Sequence, residues 1–213
     1  MGDPSILSDE QRSALERLNR LPVLGEFYLA GGTALGIHLA HRRSALDFFS
    51  RAPNVDLEVL KSAVTASFDR VEVLTQTDRS LHLLCDGLPI DFVRYSYPLL
   101  DPPGTAFGVS LAGVRDLAVM KLAAISRRGL RRDFWDLYEA LRTPLTLREC
   151  GEAYVQRFGV HEADLYHVLR ALTYFDDAEK DPVLPLGLNT DRWSAIKAFF
   201  RAEAPKLVSP RDS

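Results

Sequence analysis

Two stretches of the sequence carry residue types that could together handle a phosphate. Phe27-Tyr28-Leu29-Ala30 is a short apolar run that ends in Gly31-Gly32-Thr33. Two glycines let a backbone turn sharply and approach a ligand closely, and a helix N-terminus behind such a turn favours phosphate. The turn has neither the Gly-Lys-Ser/Thr of a Walker loop nor GxGxxG spacing. Further on, Asp47 interrupts the apolar run Leu46-Asp47-Phe48-Phe49, and Asp91 sits likewise between Ile90 and Phe92. A carboxylate in an apolar strand costs stability unless it is paired, with Arg42 or Arg43 as the near cations for Asp47, or holds a metal. Two carboxylates on neighbouring strands beside a glycine turn suit Mg²⁺-assisted phosphoryl transfer: oxygen ligands hold the ion and backbone N–H groups hold the phosphates. Taken singly, each feature has a plainer reading, as an ordinary turn and two surface aspartates.

The third stretch is 114–142, VRDLAVMKLAAISRRGLRRDFWDLYEALR. Lys121 and Arg128 are seven residues apart and so share a helix face, Gly129 breaks the helix, and Arg131, Arg132, Asp133 and Asp136 open the next one. A solvated charged face is the usual explanation of such a run. Four arginines within six residues, beside a lysine on an apolar helix, would equally suit a triphosphate or an RNA backbone.

The elements that must position these groups follow from periodicity. Residues 9–20 read as an amphipathic helix that Pro22 ends; 27–30 as a buried strand; 33–43 as a helix with Thr33 as its cap; 44–50 as a second strand; and 55–68 as another helix. Segments 70–77, 81–87 and 88–97 read as three strands, with hairpin turns at Asp78-Arg79-Ser80 and Asp86-Gly87. Alternation in the last of these sends Asp91, Val93 and Tyr95 to one face. Pro98, Pro102, Pro103 and Gly104 mark a break. Beyond it the periodicity is helical, over 113–128, 131–142, 147–157, 161–179 and 191–205. The expected organisation is an α/β domain over 1–108 and a helical domain over 109–213. Trp135, Tyr138, Tyr166, Tyr174 and Phe175 fall at helical spacings and read as core. His38 reads as packing, and His161 and His167, six apart, as too far round a helix to share a metal.

Composition bounds the rest. A chain of 213 residues spans one to two domains of ~150. Its hydrophobic fraction of 46% is that of a globular protein, which excludes disordered and fibrous classes. The net charge of −3 excludes a general basic coat for nucleic acid, but 109–148 carries 8 basic residues to 4 acidic ones. The 2 cysteines, Cys85 and Cys150, stand alone, which argues against a zinc site and fits a reducing compartment. Met1–Asp9 lacks the look of a leader and no run is long enough to span a bilayer, so a soluble cytoplasmic protein with no membrane partner is expected.

Three stretches resemble the AbiEii/AbiGii-type toxin nucleotidyltransferases of type IV toxin–antitoxin and abortive-infection systems. They are FYLAGGTALGIHLAHRRS…DFFS (27–50), IDFVRYSYPLL (90–100) and RDLAVMKLAAISRRGLRRDFWDLYEAL (115–141), in the right order over about half the chain. The resemblance implies an α/β (α+β) polymerase-β-like nucleotidyltransferase core with a mixed sheet, followed by a helical domain. It also implies an NTP substrate, Mg²⁺ or Mn²⁺, an RNA or other hydroxyl acceptor such as the tRNA 3′ end, and a cognate antitoxin. Gly31, Gly32 and Thr33 would match the phosphate-binding turn, with Arg42 and Ser44 of the His-Arg-x-Ser block beside the nucleotide. Asp91 would match the metal-site carboxylate that polarises the attacking hydroxyl. Lys121 would contact the nucleotide phosphates and Asp133 would match the downstream functional aspartate, with Arg127, Arg128, Arg131 and Arg132 as extra phosphate or acceptor contacts.

One departure qualifies these implications. The family pattern His-Arg-x-Ser-x-Asp-x-Asp-Phe-Phe carries two aspartates on one strand face, whereas here Ser44 is followed by Ala45-Leu46-Asp47-Phe48-Phe49. Aligned on Asp-Phe-Phe-Ser, Asp47 is the second metal aspartate and the first is missing; aligned as the first, its partner position is Phe49. Either way only Asp47 remains to share a metal with Asp91, and the nearby Asp56 and Glu58 are the candidates to replace the missing ligand. The alternative function is therefore a catalytically impaired relative that binds nucleotide, RNA or an antitoxin.

Overall fold

The computed structural model describes residues 6–207. The reading of Met1–Asp9 rests partly on residues outside that range. The chain divides into two compact units, Met1–Gly113 and Val114–Ser213.

The first unit begins with α1 (Asp9–Asn19), started by a reciprocal cap in which the Ser8 hydroxyl accepts from the Gln11 N–H and the Gln11 side chain accepts from the Ser8 N–H. Ala14, Leu15 and Leu18 form its buried stripe. The sheet that follows comprises β1 (Phe27–Ala30), β2 (Leu46–Ser50), β3 (Val71–Gln76), β4 (Ser80–Cys85), β5 (Leu88–Val93), β6 (Gly104–Ala106) and β7 (Val109–Leu111). Its order is β3-β4-β5-β2-β1-β7-β6. It is mixed: β1 runs parallel to β7 and β2 parallel to β5, while the remaining pairs are antiparallel. The continuous apolar run of β1 is buried at all four positions, as a central strand covered on both faces must be. α2 (Gly31–Leu39) and α3 (Leu57–Thr65) flank β2 in the chain. This is the expected mixed α/β core.

Local details differ from the periodicity reading for identifiable reasons. α2 begins at Gly31, two residues before Thr33, and Thr33 does not cap it: its hydroxyl donates to the Ala45 carbonyl at 2.5 Å, tying the start of α2 to the entry of β2. The proline-rich break hides the β6–β7 hairpin. Its turn, Phe107-Gly108, has φ of 51° and 79°, and phenylalanine at positive φ gives no turn signal.

The second unit consists of α4 (Val114–Arg127), α5 (Arg131–Ala140), α6 (Leu147–Phe158), α7 (Leu165–Thr173), α8 (Asp176–Lys180) and α9 (Thr190–Glu203). Its aromatic centre is Phe134, whose ring lies 5.1 Å from Phe175, 5.5 Å from Phe200 and 5.9 Å from Trp193. The stretch 161–179 breaks between α7 and α8 because Tyr174 adopts an extended backbone while the next residue, Phe175, packs into that centre. Trp135 and Phe175 are buried as expected, whereas Tyr166 and Tyr174 stand out of the core. Arg157 of α6 pairs with Asp116 of α4 at 2.5 Å with both side chains wholly buried. Among the described residues, no helix is long and apolar enough to cross a membrane.

Candidate functional site

The half-exposed face of the first unit's sheet collects the polar residues that alternation sends there. In the parallel pairing of β2 with β5, Asp47 lies directly opposite Asp91, while their neighbours Leu46, Phe48, Ile90 and Phe92 point into the core. On the other side of β5, Asp91 lies opposite His82 of β4. His82 Nδ1 is 2.9 Å from Asp91 Oδ1, and the two side chains are 34% and 30% exposed. A carboxylate oxygen accepts here, so Nδ1–H is the donor of this hydrogen bond. Motif spacing does not single out His82, but the hairpin does. The two-residue turn Asp86-Gly87, with φ of 49° and 85°, pairs Cys85 with Leu88, and counting back along the hairpin pairs His82 with Asp91.

The glycine turn closes against this row. Gly31 has φ +65°, and a Cβ there would collide with the Asp47 carboxylate. A Cβ at Gly32 would collide with the Arg42 guanidinium and lie 2.7 Å from the Ser44 hydroxyl oxygen. The two glycines therefore do what paired glycines do best, letting charged side chains approach the start of a helix. Register and close approach thus gather Gly31, Gly32, Arg42, Ser44, Asp47 and Asp91, with Thr33 anchoring the turn to the strand. The Ser44 carbonyl is held in turn by the Gln11 side-chain amide at 2.7 Å.

Neither carboxylate suggested as a replacement ligand joins the row. Asp56 caps α3 by accepting from the N–H groups of Glu58 and Val59, and Glu58 is taken by Lys61 and Gln76. Among the described residues, no cluster of three or more His, Cys, Asp or Glu side chains could by itself enclose a metal. Asp47 and Asp91 still suit a hard cation of the kind that takes one or two carboxylates and completes its shell with water and substrate phosphates. The donor set fits a substrate-completed ion and not a protein-only cage.

The second unit holds a separate charged cluster. Lys121 Nζ of α4 lies 2.9 Å from Asp133 Oδ1 and 2.8 Å from Asp136 Oδ2, both on α5, and both carboxylates are fully buried. Arg128 grips Asp133 with Nε at 3.0 Å to Oδ2 and Nη2 at 3.3 Å to Oδ1. Burial on its own would raise the Asp133 carboxyl, but the Lys121 charge and the Arg128 hydrogen bonds outweigh it and hold the group below its ordinary value. Arg131 turns to Glu179, donating to its carbonyl at 2.9 Å and to its carboxylate at 3.3 Å. The basic run is thus partly neutralised inside its own unit. Asp136, read only as part of a helix start, proves to be the second partner of Lys121.

The family described as nucleotidyl transferase AbiEii toxin of type IV toxin–antitoxin systems matches residues 83–211, more than half of the chain. A protein of Aquifex aeolicus (strain VF5), described as uncharacterised, is 34% identical over 206 residues, covering 95% of this chain and 98% of that one. Among solved structures, a putative nucleotidyltransferase of H. pylori superposes with a TM-score of 0.54 at 16% identity, over 94% of this chain and 97% of the other. MenT4, a nucleotidyltransferase toxin of Mycobacterium tuberculosis H37Rv, superposes with a TM-score of 0.60 at 17% identity, over 94% and 84%. The mixed sheet followed by helices is thus the polymerase-β-like nucleotidyltransferase fold, and the chain belongs to the AbiEii family of nucleotidyltransferase toxins.

Proposed function

We propose that the protein transfers a nucleotide from an NTP to a hydroxyl of RNA, with the tRNA 3′ end as the leading acceptor, and that it does so with Mg²⁺ or Mn²⁺. The observation that carries this reading is the in-register pair Asp47 and Asp91 beside the Gly31-Gly32 turn. In the reaction the acceptor oxygen bonds to the α-phosphorus, the bond from that phosphorus to the bridging oxygen breaks, and pyrophosphate leaves. Asp91 receives the hydroxyl proton; Asp47 and Asp91 would hold the cation, which would supply positive charge against the phosphates. Gly31, Gly32 and Thr33 present the backbone at the start of α2 to the triphosphate, with Arg42 and Ser44 at its flank. For Lys121, paired with Asp133 and Asp136, and for Arg128, paired with Asp133, the family's phosphate role is kept as part of the proposal. An antitoxin of the kind implied by the family is the proposed protein partner.

Ala45 favours a second reading. Aligned on Asp-Phe-Phe-Ser it stands where the family pattern places the first strand aspartate, and among the described residues no further carboxylate joins the row. A site with two acidic ligands instead of three would bind nucleotide and turn over poorly, leaving a nucleotide- or RNA-binding module. Incubating the pure chain with each labelled NTP, Mg²⁺ or Mn²⁺ and total tRNA separates the two. Label in tRNA that Asp91→Ala abolishes supports transfer, whereas metal-dependent NTP binding without label supports the impaired relative. Label that survives Asp91→Ala overturns the assignment of the site.

A further inference from the structure

The second unit contains a pocket of about 580 Å³ where the end of α4 meets α7. Arg127 and Arg128 line it from the α4 side, His167, Arg170 and Tyr174 from α7 and the residue after it, and Asp177 lies at its border. Positions 167, 170 and 174 are three and four residues apart, so one face of the helix and its continuation points at the cavity. All six side chains belong to exposed residues.

A plainer account of this charge is that it serves the α4 C-terminus, where cations are stabilising. The hydrogen bonds separate the groups that do this from those that do not. His167 Nε2 lies 3.1 Å from the Ser126 carbonyl and so caps the helix end, and Arg128 is committed to Asp133. Arg127 and Arg170 form no ion pair with any described residue. With Arg128 counted as neutralised, these two against Asp177 leave one positive charge, roughly twice the half-charge of a helix C-terminus. The surplus is real and faces a cavity in the size range of small-ligand pockets, roughly 300–1,000 Å³. Tyr174, 50% exposed at the same wall, offers a flat aromatic face beside two guanidinium forks.

From this pairing of unpartnered arginines with an exposed tyrosine in a nucleotide-sized cavity, we infer that the pocket takes a segment of single-stranded RNA. Arg127 and Arg170 grip backbone phosphate and Tyr174 stacks on an unpaired base. Guanidinium groups match phosphate with a fixed fork, and single strands are recognised by aromatic stacking beside a cationic groove. The inference rests on the proposed transfer reading only in taking RNA as the acceptor class, and it gives the helical unit a binding role of its own.

The test is binding of a labelled, mixed-sequence single-stranded oligoribonucleotide to the full chain over a salt series, with a labelled NTP measured in parallel. The double variant Arg127→Ala/Arg170→Ala should weaken RNA binding about tenfold or more and flatten the salt slope by about 1.4, at ~0.7 per lost contact on a single strand. NTP binding and thermal unfolding should be unchanged. Tyr174→Ala should weaken RNA binding roughly fivefold or more, while Tyr174→Phe preserves it. An unchanged salt slope in the double variant overturns the proposal. So does loss of NTP binding with RNA binding intact, which would assign the pocket to a free nucleotide. A wild-type chain that binds polyglutamate in its place and no RNA also overturns it. Asp91-dependent transfer to a hydroxyl acceptor would survive each of the first and third failures, and RNA binding here would survive the failure of transfer.

Discussion

His82 Nδ1 lies 2.9 Å from Asp91 Oδ1, across an antiparallel pair whose register is set by a two-residue turn. The hydrogen bond fixes the rotation of the carboxylate that, in our proposal, receives the acceptor's proton. His82 acts through Asp91 and is a positioning residue. His82→Ala should lower kcat for nucleotide transfer about tenfold with KM for NTP unchanged, since a hydrogen bond to a charged group is worth about 1.5–3 kcal/mol. His82→Asn, whose amide N–H can replace Nδ1–H, should restore most of the rate. Equal losses in the two variants would show that the ring does something other than donate this bond.

Gly31 tolerates no side chain, for two independent reasons. Its φ of +65° is left-handed, and the space where a Cβ would go holds the Asp47 carboxylate. Gly31→Ala should therefore destabilise the fold by about 1–3 kcal/mol and abolish metal-dependent NTP binding. Pairing it with Asp47→Ala should recover part of the stability and none of the binding. Denaturant titration and equilibrium NTP binding measure the two effects separately, and an undisturbed Gly31→Ala would contradict the close approach.

Lys121 neutralises two carboxylates that have no exposure to water. Lys121→Met keeps much of the volume and removes the charge, leaving Asp136 without this cation and Asp133 with Arg128 alone. The expected cost is about 3–5 kcal/mol, the range found when one partner of a buried pair is removed. Adding Asp136→Leu should recover part of it. Urea unfolding of the single and double variants gives the comparison, and a Lys121→Met chain as stable as the wild type would mean that the carboxylates find other compensation.

Glu179 gathers Lys197, the Trp193 indole N–H and Arg131, and these hold its carboxyl down at about 2. The folded value lies below the ordinary one, so the stabilisation is fully present above about pH 4.5 and is lost as pH falls towards 2. The side chain is 43% exposed, so after solvent screening the contribution is about 1 kcal/mol. Glu179→Gln should lower unfolding free energy by that amount at pH 7 and by nearly nothing at pH 2. A difference that stays constant over this range would rule out the ionised carboxylate as its source.

The fold is most legible in the sequence where one rule acts alone. β1 is a continuous apolar run, and β4 and β5 alternate cleanly around Asp86-Gly87, so their patterns mark the strands to within a few residues. The fold is least legible where a side chain serves something distant in the chain. Thr33 looks like a cap and instead bonds the Ala45 carbonyl, and Phe107 hides a hairpin because a phenylalanine at positive φ mimics no turn rule. Tyr166 and Tyr174 have core-like spacing on α7, yet packing turns them outward while Phe175 goes in. In the site, the alternation of β5 pointed Asp91 to the correct face, but no spacing rule states that β2 and β5 are neighbours. That adjacency is topological, and it brings Asp47 to Asp91 across 43 intervening residues.

Strand parity in β2 also constrains how this chain could change. A second carboxylate on the face of Asp47 can enter only at position 45 or position 49. Phe49 is held by aromatic contacts, stacked 6.2 Å from Tyr28 and edge-on 5.1 Å from Tyr95, so acid there would dismantle a packed row. Ala45 is half-buried and offers its carbonyl, not its methyl, to Thr33. Ala45→Asp is therefore the one inexpensive route by which a weakened active site could regain its lost ligand, and descent from a stronger enzyme or towards one would leave its mark at that residue.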